Sequence, residues 1–166
     1  GKPATWDISA VEERHIVAQN ARNKGEEVNF GELRILCHLK NSELAEHLQS
    51  WKGRIVFRGD IVTDETGHYA VFSEQSTSAS HMTGTKVLDA IARFEGCKGE
   101  DADAESAYTQ LTLEEARELL GIGVIPKTWI SLPPDRWPQQ WHDDNLRDPV
   151  VPLIGKLYGH PLAGLL

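Results

Sequence analysis

Two stretches decide the fold: LRILCHLK, residues Leu33–Lys40, and KGRIVFRGD, residues Lys52–Asp60. In the first, Ile35, Cys37 and Leu39 alternate with Arg34, Leu36, His38 and Lys40; in the second, Ile55 and Phe57 alternate with Lys52, Arg54, Val56 and Arg58. A period of two is that of a strand, whose successive side chains point to opposite faces. Paired as an antiparallel hairpin, the two strands would gather Arg34, His38, Lys40, Lys52, Arg54 and Arg58 on one side, while the other side packs on a core.

Helix signals flank this hairpin. Ser9 stands three residues before Glu12, a capping-box spacing, and Asn23, Lys24 and Gly25 close the segment, which predicts a first helix from about Ser9 to Lys24. Downstream, Ser80 is an N-cap candidate and Val87, Leu88, Ile91 and Phe94 fall at helical spacing before Gly96, predicting a helix packed on the sheet. Thr112 and Glu115 form a second capping-box pattern closed by Gly121. KTWISLPPDRWP reads as a strand broken by Pro133 and Pro134, and PVVPLIGKLYG as a short strand or extended segment after Pro149. The elements predict one α+β domain, for which 166 residues suffice.

The net charge of −8 argues against a generic nucleic-acid binder, but its distribution is uneven. Residues 1–60 carry nine Lys/Arg and nine Asp/Glu, so all the excess negative charge lies in 61–166. Cys37 and Cys97 are far apart and make neither a CxxC zinc pattern nor a disulfide framework, which suits a reducing interior. No apolar run approaches bilayer length, and the opening GKPATWDIS has neither an initiator Met nor an apolar signal core. The expectation is a soluble intracellular chain, cytoplasmic or nuclear, not secreted and with no membrane partner, whose first residue is an internal cut.

The stretch EDADAESAYTQ, Glu100–Gln110, has two readings. As a charge run it is a solvated acidic loop. As a strand end it would show Asp101, Asp103 and Glu105 on one face, backed by Ala102 and Ala104, so that the carboxylates could approach a cation closely. QWHDDN, with Trp141, His142, Asp143 and Asp144, is flanked by Pro138, Gln139, Gln140, Asn145 and Arg147 and reads as a polar loop. No Gly-x-Ser-x-Gly elbow is present, and the glycines of GIGVIP read as a helix stop, since no long helix follows them.

Taken in order, four segments resemble the reverse transcriptase of copia-type LTR retrotransposons. KGRIVFRGD resembles that family's fingers strand; DAESAY resembles its first palm motif, with Asp103 five residues before Tyr108. TWISLPP falls where the family has a strand ending in paired prolines, and KLYGHPLAG is similar to its Leu-Tyr-Gly segment, here Leu157, Tyr158 and Gly159. The resemblance spans about residues 33–164. His160 and Pro161 depart from the family pattern, as do Glu100 and Asp101 ahead of Asp103.

The resemblance implies a single incomplete reverse transcriptase domain over 1–166, with an N-terminal helix and fingers-like part in 1–98 and the start of a palm in 99–166. The implied activity is RNA-directed DNA synthesis on an RNA or DNA template-primer with deoxynucleotides and Mg²⁺. Asp103 would be the catalytic metal ligand, Tyr108 would lie under the incoming sugar, and Lys52 and Arg54 would meet the nucleotide triphosphate. Arg34, Lys40, Arg58, Tyr158 and Gly159 are the implied nucleic-acid contacts. On the residues alone, Tyr108 also fits a core tyrosine, and the cations also fit an exposed edge that deters aggregation. The implied partners include the remainder of the polyprotein. With only Asp103 in place, the chain alone is expected not to polymerise DNA; a non-catalytic remnant acting as an interaction module in a larger assembly is the other reading.

Overall fold

The computed structural model describes residues 4–70, 82–98, 112–121, 123 and 125–161. Among them the chain forms β1 (Glu12–Glu13), α1 (Arg14–Lys24), β2 (Val28–Lys40), β3 (Ser50–Phe57), β4 (Thr63–Asp64), α2 (Met82–Ala92), α3 (Leu113–Leu120), β5 (Lys127–Ser131), α4 (Gln139–Asp143) and β6 (Pro149–Pro152). The strands make one six-stranded mixed sheet in the order β1-β6-β5-β2-β3, with β4 also on β2. The expected α+β architecture therefore holds as a mixed sheet with few helices. Its centre departs from a hairpin-built sheet: β5 inserts parallel to β2, Val28 pairing with Lys127 and Glu32 with Ser131.

Strand β2 is longer than its alternating stretch because its first half is buried on both faces and so carries no period-two signal. Val28, Phe30 and Val150 face α1, which supplies Val17, Ala18 and Ala21. Leu33, Ile130, Val151 and Phe57 face the opposite way, toward Val62, Leu132, Trp141, Leu153 and Leu157. The Phe57 ring lies where a Cβ on Gly31 would have to stand, so glycine is required there for close approach.

Helix α1 ends as expected, with Gly25 left-handed at φ 65° and its N–H bonded to the carbonyls of Ala21 and Arg22. Its start is corrected: Ser9 lies in a 3-10 turn capped by Asp7, and the helix begins at Arg14. Residues 12 and 13 are committed elsewhere, because Glu12 pairs with Val150, and the Glu13 carboxylate accepts the N–H groups of Arg147 at 2.7 Å and Asp148 at 2.9 Å. Those bonds hold the Glu13 carboxyl below its usual range, first through the Arg147 N–H.

Around α3 the sequence pattern holds. Thr112 Oγ1 accepts from Glu115 N–H at 3.1 Å, the Glu115 carboxylate accepts from Thr112 N–H at 2.8 Å, and Gly121 closes the helix at φ 62°. Helix α2 forms but ends at Ala92, before Phe94, and it is not packed on the sheet: Val87, Leu88, Ile91 and Phe94 are exposed among the described residues. Its N-cap candidate Ser80 lies outside the described residues. QWHDDN is also corrected, since Gln139–Asp143 is the helical turn α4 and Trp141 is buried in the core. Pro138 precedes that turn, where a missing N–H costs nothing. Among the described residues no helix is long and apolar enough to cross a membrane.

Two glycines of the hairpin should respond oppositely to alanine. Gly31→Ala collides with the buried Phe57 ring, an overpacking expected to cost about 1–3 kcal/mol. At Gly53 a Cβ would meet nothing within 4 Å, so Gly53→Ala is expected to be neutral or slightly stabilising. Denaturant unfolding of both variants beside the wild type checks this, and equal midpoints for all three would refute the Phe57 contact.

Candidate nucleic-acid interface

Beyond the reach of β5, β2 continues with β3 as a two-stranded antiparallel ribbon from Leu33↔Phe57 to Lys40↔Ser50. Directly opposed residues of an antiparallel pair share a face. The register Arg34↔Val56, Leu36↔Arg54, His38↔Lys52 and Lys40↔Ser50 therefore puts Arg34, His38, Lys40, Lys52 and Arg54 on one face, all of them exposed. Neither 33–40 nor 50–57 contains a carboxylate.

Arg58 is placed differently. It is bridged to Asp60 at 3.0 Å and to Glu32 at 3.5 Å, so its charge is already matched. The pairing raises its pKa and lowers that of Asp60, in both cases first through their hydrogen bond; the charges of Arg58 and Arg34 lower Asp60 further.

The other face of the ribbon was expected to pack on a core, and does so only at its root. Leu33 and Phe57 are buried, while Ile35, Ile55 and Trp51 are exposed. Between this face and the body runs a groove of about 470 Å³ lined mainly by apolar residues, among them Trp6, Ile8, Ile35, Ile55 and Leu132, with Arg54 and Arg136 at its border.

Tyr158 and Gly159 are brought to the ribbon root. The Tyr158 carbonyl accepts the Phe57 N–H at 2.7 Å. Gly159, at φ 84°, lies against the Phe57 carbonyl where a Cβ would collide, and Gly59 in turn leaves room for the Gly159 carbonyl. The two glycines thus let the turn at residues 157–160 dock on the end of β3. Tyr158 is exposed beside this junction. Asp103 and Tyr108 lie outside the described residues, and so does the strand expected at 100–104. Among the described residues no group of three or more His, Cys, Asp or Glu could hold a metal ion.

Sequence reasoning marked His160 only as a departure from the family pattern and did not foresee its place in the core. It is buried, with its ring centroid 4.9 Å from that of Phe57 and its Nε2 3.3 Å from Thr128 Oγ1. Burial pushes its pKa down to about 4. The available signal was a histidine closing the apolar run VVPLIGKLYGH, which also contains the buried Lys156.

No family model, curated protein or solved structure matches this chain.

Two predictions follow from the junction. The folded chain keeps His160 neutral down to about pH 4, whereas an unfolded imidazole titrates near its ordinary value of 6.5. The unfolded chain therefore binds the extra proton in that interval, and stability is lost as pH falls through it, by about 3 kcal/mol in total. Urea midpoints measured from pH 7.5 to 4 should fall for the wild type and stay flatter for His160→Gln; parallel curves would exclude the histidine. Separately, Gly159→Ala should undock the turn and speed amide exchange at Phe57 by at least tenfold, while unchanged exchange would refute the docking.

Proposed function

We propose that this chain is the nucleotide- and template-facing part of an RNA-directed DNA polymerase of a copia-like retroelement, and that the ribbon is its contact with phosphate. The polymerase reading rests on the resemblance. The observation that supports phosphate binding is the register that collects Arg34, His38, Lys40, Lys52 and Arg54 on one exposed face, with no carboxylate within residues 33–40 or 50–57. Such a face attracts a polyanion by releasing its counterions, and the guanidinium of Arg54 can grip phosphate oxygens in pairs. Arg58 is assigned instead to holding the strand end against Glu32 and Asp60. In this reading Asp103 and Tyr108 serve metal and sugar, and deoxynucleotides, template-primer and the rest of the polyprotein are the partners.

A second reading, an interaction module in a larger assembly, is favoured by one observation. The apolar side chains Val87, Leu88 and Ile91 of α2, and Phe94 just after it, are exposed, a face that suits a protein partner.

Labelled primer-template titrated against wild type and a Lys52→Ala/Arg54→Ala variant tests the first reading. Binding should weaken at least tenfold in the variant at low salt, and the slope of log affinity against log salt should shrink by about two. Equal affinities and slopes would sink the assignment and leave the interaction module as the better account.

A further inference from the structure

We infer that the ribbon tip holds a stacking slot for an unpaired nucleobase, with Trp51 as its wall, so that the strand it takes is single-stranded. This rests on the nucleic-acid reading of the ribbon and specifies its ligand. Trp51 is 74% exposed, more than any other large apolar side chain among the described residues. An indole this open in a strand is costly to hydrate and is a ready platform for another flat ring.

The neighbouring positions leave space for that ring. On the same face the next residue of β3 is Gly53, where a Cβ would meet nothing within 4 Å, and the one after is Ile55. Trp51 and Ile55 are thus separated by roughly 13 Å of strand with a bare backbone between them on β3, while Leu39 and Cys37 of β2 stand opposite Trp51 and Gly53 on the same face. A base stacked on the indole would lie over Gly53, and the notch opens into the apolar groove that Gly53 and Ile55 help to line. A valine or leucine at position 53 would fill it.

Charge decides the occupant. Lys52 and Arg54 alternate with Trp51, Gly53 and Ile55 along β3 and belong by register to the other face, with Arg54 also bordering the groove. Because β3 ends the sheet, one strand of nucleic acid can lie across this edge, with phosphates toward Lys52 and Arg54 and a base turned onto Trp51. An apolar peptide would use the groove's apolar walls but would leave Lys52, and the Arg54 that borders the groove, without a counter-charge. A duplex would use the cations but keeps its bases stacked on one another. Single-stranded nucleic acid uses both, the combination of cationic track and aromatic platform typical of single-strand binding.

The test is fluorescence anisotropy with three labelled probes: a 12-nucleotide single strand, an abasic strand of the same length and charge, and a duplex. The proteins are the wild type, Trp51→Ala, Trp51→Phe, Gly53→Val and Lys52→Ala/Arg54→Ala. The wild type should prefer the base-bearing strand over the abasic one by about five- to hundredfold. Trp51→Ala and Gly53→Val should lose that preference while keeping the wild-type salt slope, and Trp51→Phe should retain most of it. If Trp51→Ala keeps the preference while the Lys52/Arg54 variant loses binding, the phosphate reading stands and the slot is overturned. If the wild type binds none of the probes, both fall. A Trp51→Ala variant that binds all probes as the wild type does, but has lost self-association seen in sedimentation, assigns the slot to a protein contact and overturns the inference.

Discussion

The ring of Phe57 lies against the bare Cα of Gly31, its N–H donates to the Tyr158 carbonyl, its own carbonyl touches Gly159, and its ring packs at a tilt on His160. Three parts of the chain meet there: strand β2, the outgoing end of the ribbon and the turn at residues 157–160. Each contact depends on close approach, and each approach depends on a glycine or on an aromatic ring that fills the space a side chain would have taken. The interior is dense enough that such a junction has little freedom to shift. The segments carrying the first and last of the four resemblances, KGRIVFRGD and KLYGHPLAG, are therefore in direct contact although about a hundred residues separate them.

Where the sequence was legible, the deciding forces were local. The alternation in Leu33–Lys40 and Lys52–Phe57 foretold both strands and the shared face of Arg34, Lys40, Lys52 and Arg54, because pairing parity follows from the strand itself. Thr112, Glu115 and Gly121 bounded α3 for the same reason. Where it was misleading, a distant partner prevailed. Ser9 and Glu12 have the spacing of a capping box, but Glu13 is claimed by backbone N–H groups more than 130 residues away. Alternation shows that one face is apolar without showing what covers it, so Ile35, Ile55 and α2 were all assigned to a core that does not reach them. The insertion of β5 beside β2 is a parallel pairing across about a hundred residues and leaves no local trace.

The candidate site divides along the same line. Lys52 and Arg54 were placed by the register of their own hairpin, whereas Arg58, one step beyond it, is captured by Asp60 and by Glu32 on the next strand. The burial of His160 was not foreseen because an imidazole in an apolar run is invisible to periodicity; it emerges from side chains distant in sequence, among them Phe57 and Thr128.

The ribbon itself lacks the means to hold its own register. Beyond Leu33 and Phe57 it has little buried surface, and a two-stranded ribbon in water is marginal. Its ladder must be indexed from the root, where Leu33, opposite Phe57, is buried and Gly31 admits only a ring. A slip of one residue would turn one strand's cations toward the apolar groove and its Ile and Trp toward the cationic face. The position of Lys40 and Lys52, roughly 15–25 Å from the root, is thus set by packing around Phe57. This separates two duties within one strand pair: the root uses up the burial that fixes parity, and the tip is left free to present charge on one side and an open indole on the other.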